Sequence, residues 1–300
     1  MEVLAINCGS SSLKFDLIEI SGQAVGAQGG RRLAHGNIQR IGSQATIEFD
    51  AEAGTSLRDA ATIADHGEAT EYVLGWLADG GLPAAGTPAA VGHRVVHGGE
   101  QFVQPTLIDD QVTAAIEALA ELAPLHNVPA LAAIRAARTV LGPAMPMVAT
   151  FDTAFHHAMP ERAARYAIPR ELADRHRIRR YGFHGLAHRF MTERCAALAG
   201  APAEQLRLIT LQLGNGCSAA AVAGGRSVDT SMGSIPLEGL IMGTRSGDID
   251  PSLPGFLAER EGAGVQEVER WLNTRSGLLG VSGHSQDMRD LLNLEHQGDD

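Results

Sequence analysis

The chain has 300 residues, 44% of them hydrophobic and 20% charged, which fits a soluble globular protein of two domains with a substantial core. Aromatics are scarce at 4%, so the interior must rest mainly on aliphatic side chains. The formal net charge is -11 and the one dense basic run, "RHRIRR" at 175–180, is short, which argues against a nucleic-acid partner, since such a protein carries a broad basic footprint.

The N-terminus reads strand, turn, strand: "EVLAIN", "CGSSS", "LKFDLIEI". Leu13, Phe15 and Leu17 alternate with Lys14 and Asp16, the mark of a half-buried strand, and the pattern blurs at Ile18-Glu19-Ile20. "ATIEFDAE" is a further short strand, "ATEYVLGWLADGG" a helix ending at glycine, and "AAVGHRVVHGG" a strand running into a glycine turn. Residues 109–122 predict an amphipathic helix with acidic residues at its start. "PLHNVP" is expected to break it, because proline cannot continue a helix, and "ALAAIRAARTVLG" to form a second one. "MPMVATFDTAFH" reads as a buried strand leaving into a polar turn. A domain boundary is placed near residue 150, giving 1–150 and 151–300.

The second half opens in irregular basic sequence, "PRELADRHRIRRYGFHG", before a helix, "LAHRFMTERCAALAG". "LRLITLQLGNGCSAAAVAGGRSVDTS" then repeats the opening design of strand, Gly-rich turn, strand. The repeat is architectural, and it predicts two related lobes, each with a phosphate-sized turn facing a cleft.

Cys8, Cys195 and Cys217 are odd in number and form no C-x-x-C, against a disulfide framework or a thiolate zinc site and in favour of a reducing compartment. The N-terminus lacks a basic segment followed by an apolar one, so no signal peptide is expected. No apolar stretch reaches the roughly 20 residues that span a bilayer. The cytoplasm is the expected location, with no membrane partner.

Glycine lets backbone approach a ligand closely, hydroxyls and amides donate to phosphate oxygens, and lysine adds a point charge. "NCGSSSLK" therefore has the chemistry of a phosphate cradle. Alone it is more often only a hairpin turn, and it is not a P-loop of the G-x-x-x-x-G-K-[ST] type. "LGNGCS" at 213–218 is equally open, since Asn-Gly is a favoured tight turn. The pair carries more than either turn. "DTSMGSIPLEGLIMGTRSGDIDPS" at 229–252 packs four acidic residues, one arginine and four glycines into sequence with little periodicity, and long irregular loops are often functional. His93, His97, His126, His184 and His188 sit beside turns without H-E-x-x-H spacing, and each reads equally well as a structural group.

Taken together, "INCGSSSLKF", "GHRVVHGGE", "PLHN", "FDTAFH", "YGFHGLAH", "LGNG", "DTSMG", "PLEGLIMGTRSGDIDP" and "SGLLGVSGHSQDMRDL" closely resemble the acetate kinase family, in its order and spacing. The resemblance implies an α/β fold of the acetate and sugar kinase/Hsp70/actin class: two actin-like, ribonuclease H-like lobes, each a mixed five-stranded sheet with flanking helices. It implies ATP and ADP as co-substrates, Mg²⁺ or Mn²⁺, a homodimer, and reversible conversion of acetate and ATP to acetyl phosphate and ADP.

In that reading Asn7, Ser10, Ser12 and Lys14 face the transferring phosphoryl group from the first lobe, with Asn7 helping to hold the metal. Gln212, Leu213, Gly214, Asn215 and Gly216 serve the nucleotide phosphates from the second, and Asp287, Met288 and Arg289 match the adenosine side. Arg94 and Arg245 bracket acetate and the phosphoryl group. Val96, Leu125, Phe183 and Pro236 match the pocket for the methyl group. His184 would hydrogen-bond the phosphoryl oxygens with Arg245, His126 would support it, and Asp152 matches the family's catalytic aspartate.

Three departures stand out. Gln212 replaces the usual histidine of His-Leu-Gly-Asn-Gly, and its amide cannot become cationic. Gly233-Ser234-Ile235-Pro236 replaces Gly-Phe-Thr-Pro, which leaves propionate as an alternative acceptor. The family also carries a further C-terminal stretch, with an adenosine motif and a metal-binding glutamate, whereas this sequence ends "LLNLEHQGDD", in mid-helix by pattern. That departure keeps two other readings in view: an inactive phosphate- or carboxylate-binding module, and an acyl phosphate hydrolase.

Overall fold

The computed structural model describes residues 1–20, 30–52, 54–81, 87–121 and 123–298, apart from the side chains of Pro124 and Leu125. The chain divides into two compact units, Met1–Ala154 and Phe155–Asp300, which keeps Asp152 with the first.

The first unit is built on an eight-stranded mixed sheet. In chain order its elements are β1 (Glu2–Cys8), β2 (Ser12–Glu19), β3 (Arg31–Gln39), β4 (Ser43–Ala51), β5 (Ser56–Ile63), helix α1 (His66–Trp76), β6 (Ala90–Val95), β7 (Thr106–Leu107), α2 (Asp110–Ala118), α3 (Pro124–Leu141) and β8 (Met147–Phe151). The strand order is β5-β4-β3-β2-β1-β6-β8-β7. β1 to β5 form an antiparallel meander, while β6 and β8 lie parallel to β1 and its neighbour.

Alternation along the strands sorts two faces. Leu4, Ile6, Cys8, Leu13, Phe15, Leu17, Val91, Val95, Met147, Ala149 and Phe151 are buried and join one core. α1 and α3 pack on each other, and α3 also packs on β1 and β6. Phe15 meets Phe49 edge to face within this core, with ring centroids 5.0 Å apart. The blurred end of the second predicted strand is a real irregularity: the β2–β3 register shifts between Leu17 and Ile18.

The second unit contains α4 (Glu161–Ala164), α5 (Arg170–His176), α6 (Gly185–Ala199), β9 (Arg207–Leu213), β10 (Cys217–Ala223), β11 (Arg226–Thr230), α7 (Leu253–Glu261), α8 (Val265–Thr274), α9 (Gly277–Ser282) and α10 (Met288–His296). Its sheet is the antiparallel meander β11-β10-β9.

The α/β class therefore holds, but the expectation of five strands in each lobe does not: the sheets have eight and three among the described residues. In the first unit the order β3-β2-β1-β6-β8 is the expected five, and the β4–β5 hairpin and the short β7 extend it. Among the described residues of the second unit only the meander forms.

Two local expectations need amending. The first helix does end before "PLHNVP", at Ala118 with a 3-10 turn over Leu119–Glu121, but that segment is itself helical: it starts α3 at Pro124, with Pro129 inside the helix. Proline is well placed in a first turn, where its missing N–H has no intrahelical acceptor. Asn127 in that turn is anchored by its amide, which donates to the Ala123 carbonyl at 2.8 Å, and by its side chain, which donates to the His97 carbonyl and accepts from the His97 amide, both at 3.0 Å. The basic segment after residue 168 is also not wholly irregular. α5 follows Pro169, with Glu171 in its first turn and Arg175 and His176 in its last, a charge order that suits the helix dipole.

Candidate active site

β-strand register builds the first-unit half of the site. Asn7 is paired with Lys14 on β2 and with Arg94 on β6, and Arg94 is paired with Thr150 on β8. Register partners share a face, so Lys14, Asn7, Arg94 and Thr150 form one row across four strands, opposite the helix-covered core. The Arg94 guanidinium is fixed by three groups of contacts. Its Nε donates to Asp152 Oδ1 and Oδ2 at 3.1 and 3.2 Å, its Nη2 donates to Asp152 Oδ2, and its Nη1 donates to Asn7 Oδ1 at 2.9 Å.

Asp152 follows β8 directly, and its amide donates to the Val95 carbonyl at 3.1 Å. Its side chain is 1% exposed against 25% for Arg94. Burial pulls the Arg94 pKa down, but the Asp152 charge and hydrogen bonds outweigh it and the net shift is upward. The guanidinium is thus a permanent cation held in one orientation.

Ser10 is exposed in the β1–β2 turn, Ser12 opens β2, and Lys14 is exposed. The turn is closed by the Gly9 amide donating to the Ser12 carbonyl at 2.8 Å. A Cβ on Gly9 would lie 2.8 Å from Ser12 Oγ, so glycine suits the close approach. After β6 the chain is pinned by the Asn127 bonds and by the Gly98 amide donating to Thr153 Oγ1 at 3.0 Å. Val96 is buried beside this segment and His126 is half-buried on α3. The Leu125 side chain lies outside the described residues.

In the second unit β9 and β10 meet at Leu213 and Cys217, leaving Gly214, Asn215 and Gly216 as the turn. The Gly214 amide donates to the Gly216 carbonyl at 3.1 Å. Gln212 places its amide Nε2 beside this turn, 3.3 Å from where a Cβ on Gly214 would sit. Leu213, Gly214, Asn215, Asp287, Met288 and Arg289 all line one cavity of about 570 Å³. The cavity is completed partly by Met242, Gly243 and Gln286, which the sequence did not single out. Gly243 packs tightly on Asn215: a Cβ there would be 2.2 Å from Asn215 Oδ1. Asp287 caps α10 and binds the Arg289 guanidinium, and those bonds hold its carboxyl at about 2, well below the usual range.

Gly216 also touches the other half of the second-unit constellation. A Cβ on it would lie 3.2 Å from Arg245 Nη2, His184 Cε1 and His184 Nε2, so these two side chains converge on the turn. Arg245 Nη1 donates to the Pro236 carbonyl. His184 precedes α6 in the left-handed region, at φ 57°, a strained conformation for a non-glycine residue. Its Nδ1 lies 2.8 Å from Ser218 Oγ. Ser218 Oγ lies 2.8 Å from His188 Nε2, and His188 Nδ1 lies 2.7 Å from Thr210 Oγ1. Ser218, His188 and Thr210 are buried, and no local pattern marks them as a group.

The loop from Ser231 to Ser252 has no helix or strand, as its composition predicted. It is held by Glu238, which accepts from Arg180 Nη2 at 2.6 Å and from the Tyr166 hydroxyl, while Tyr166 in turn accepts from the Ser234 amide at 2.8 Å. Val96 belongs to the first unit; Phe183, which is buried, and Pro236, which is half-buried, belong to the second.

No group of three metal-ligating histidine, cysteine or acidic side chains forms among the described residues. Asn7 Oδ1 already accepts from Arg94, and Asp152 is committed to the same guanidinium. This donor set suits a Mg²⁺ ion that arrives on nucleotide phosphates and keeps most of its waters, with Asn7 as a protein contact, better than a resident ion in a protein cage.

The whole chain matches the Acetokinase family over residues 2–300. It is 45% identical to the acetate kinase of Chloroherpeton thalassium, an alignment covering 100% of this chain and 74% of that protein. The crystal structure of Porphyromonas gingivalis acetate kinase superposes with a TM-score of 0.88 at 39% identity, covering 99% of this chain and 74% of that one. A propionate kinase from Francisella tularensis superposes with a TM-score of 0.90 at 39% identity and the same two coverages. The sheet orders, the two glycine turns and these matches agree: the chain belongs to the acetokinase family, with its actin-like ATPase fold.

Proposed function

We propose the following division of labour for the acetate kinase reaction, in which ATP phosphorylates acetate reversibly to acetyl phosphate. The observation that carries it is the fixed Arg94 cation, clamped by Asp152 and Asn7 in register with Lys14. A carboxylate of pKa roughly 4 to 5 is already ionised at neutral pH and needs no general base. What the transfer needs is cancellation of charge between two anions, in-line geometry, and donors for the equatorial oxygens.

Arg94 binds the acceptor carboxylate, and Asp152 positions that arginine without taking a proton. Lys14, Ser10, Ser12 and Asn7 hold the phosphoryl group from the first unit. In the second unit Gln212 and the Gly214–Gly216 turn hold nucleotide phosphates, while Asp287, Met288 and Arg289 hold the adenosine side. His184 and Arg245 donate to the phosphoryl oxygens in the transition state, with His126 in support. Val96 and Leu125 are assigned to the acyl methyl on the first unit, and Phe183 and Pro236 on the second. Asn7 would help to hold a Mg²⁺ ion brought in with ATP, which would supply neutralisation of phosphate charge. The working protein is assigned as a cytoplasmic homodimer of two-domain subunits. No helix among the described residues is long and apolar enough to cross a membrane.

The test is acetyl phosphate formation from Mg-ATP and acetate, trapped with hydroxylamine. Product above an Arg94→Ala control supports the reading. Soluble, folded protein with no product overturns it in favour of a binding module. Phosphate release from acetyl phosphate without ADP would instead identify a hydrolase. Propionate run in parallel decides the acyl preference.

A further inference from the structure

We infer that Ser218, His188 and Thr210 form a buried hydrogen-bond relay that fixes the tautomer of His184, so that its Nε2 carries the proton offered to the phosphoryl group. This rests on the placement of His184 at the transferring phosphoryl, proposed above. The three are positioning residues, because they act through His184.

The direction of the relay follows from hydrogen-bond inventory. A neutral imidazole has one donor and one acceptor, and a hydroxyl has a single proton to give. His188 is fully buried, flanked by hydroxyls at both ring nitrogens, and its ring meets His156 edge to face at 5.6 Å. Burial favours the neutral ring there.

The Thr210 hydroxyl has two possible acceptors: His188 Nδ1 at 2.7 Å and the Ala220 carbonyl at 3.5 Å. The shorter contact is far the better hydrogen bond, so Thr210 donates to His188 Nδ1. That leaves the His188 proton on Nε2, which donates to Ser218 Oγ at 2.8 Å. Ser218 is 0% exposed and must place its own proton, and His184 Nδ1 accepts it at 2.8 Å. His184 then carries its proton on Nε2. That nitrogen is on the edge of the ring that converges with Arg245 Nη2 on Gly216. Reversing the relay would turn His184 Nε2 into a lone pair facing anionic oxygens, which would repel them.

The first arm reads the unmodified protein, with one variant used only to assign signals. Nitrogen-15 spectra of histidine-labelled protein, with the His184 signals assigned by their loss in His184→Gln, should show Nδ1 unprotonated and Nε2 protonated. The opposite assignment overturns the inference. In Ser218→Ala the His184 signals should move toward a mixture of tautomers. kcat should fall about tenfold while KM for acetate and for ATP stays within about threefold, since the lost interaction acts in the transition state. Ser218→Thr, which keeps the hydroxyl, should restore both. An unchanged His184 spectrum in Ser218→Ala overturns the relay alone. If His184→Gln retains full kcat, the placement of His184 fails, and this inference with it.

Discussion

Asp152 holds Arg94 through both carboxylate oxygens, and the two partners differ in their access to water: the aspartate side chain is 1% exposed, the arginine side chain 25%. The pair is therefore asymmetric. Removing the arginine takes the paired cation from a buried carboxylate, whereas neutralising the aspartate leaves a guanidinium that can still reach solvent and Asn7. Arg94→Ala should cost about 3 kcal/mol of stability, and Asp152→Asn distinctly less, with activity lost in both. Urea unfolding curves for the two variants check this, and equal destabilisation would contradict it. Asp152→Asn should also leave the shape of the pH–rate profile unchanged, because the aspartate orients a cation and accepts no proton.

Gly216 separates activity from folding. Its backbone is not in the left-handed region, so alanine is sterically acceptable to the chain itself. The added methyl would meet the His184 ring and Arg245 Nη2 at 3.2 Å, closer than ordinary contact. Gly216→Ala should retain a Tm within a few degrees of the unmodified protein and lose at least about tenfold in kcat/KM, because displacing a positioned donor costs transition-state stabilisation. Calorimetry beside steady-state kinetics tests the separation.

His93 predicts an acid limb in stability. It lies on the core face of β6, 1% exposed, and its Nε2 is buried without a hydrogen-bond partner. Burial, reinforced by the Arg138 charge, lowers its pKa from 6.5 to about 3. Between those values the unfolded chain binds a proton that the folded chain refuses, so stability falls as pH drops from 6.5 toward 3. The slope from this group is at most about 1.4 kcal/mol per pH unit. His93→Leu should flatten the limb and be the more stable protein at pH 5 by chemical denaturation. A limb of unchanged steepness would assign it to other groups.

Arg289 tests the nucleotide side. It is well exposed, at 86% of its side chain, and its partner Asp287 stays ionised at any working pH because its carboxyl is held at about 2. Arg289→Ala should raise KM for ATP several-fold while leaving KM for acetate and the unfolding midpoint nearly unchanged. A rise in KM for acetate instead would place the acceptor near α10.

Gln212 is a test of charge. Its amide lies beside Gly214 in the phosphate turn, where a cation would strengthen an anion contact. Gln212→His should lower KM for ATP most clearly below about pH 6.5, where the new imidazole is protonated. A pH-independent effect would mean that shape, not charge, matters at this position.

The sequence alone determined the two strand–turn–strand hairpins. Alternation of Leu13, Phe15 and Leu17 with Lys14 and Asp16 is a local signal, and so are the glycines that close both turns. The motif set was enough to identify the family, and composition was enough to mark 229–252 as irregular, which holds for all but Asp229 and Thr230 at the end of β11. The break between the second and third helices was legible, but not that "PLHNVP" itself opens the third, because proline's effect depends on its position in a helix, and that turn is also tied by Asn127 to His97 thirty residues away. The expectation of five strands in each lobe fails, since strand number at a sheet edge depends on pairing between distant segments.

Only the tertiary structure decided which residues act as units. Asn7, Arg94 and Asp152 lie on three separate segments, and register across β1, β6 and β8 brings them to one guanidinium. Thr210, His188, Ser218 and His184 are likewise linked by hydrogen bonds across a hairpin and a helix. Local periodicity carries information about the face a residue occupies, because that depends on the two or four residues beside it. It carries none about hydrogen-bond partners, because those are fixed by how distant elements pack.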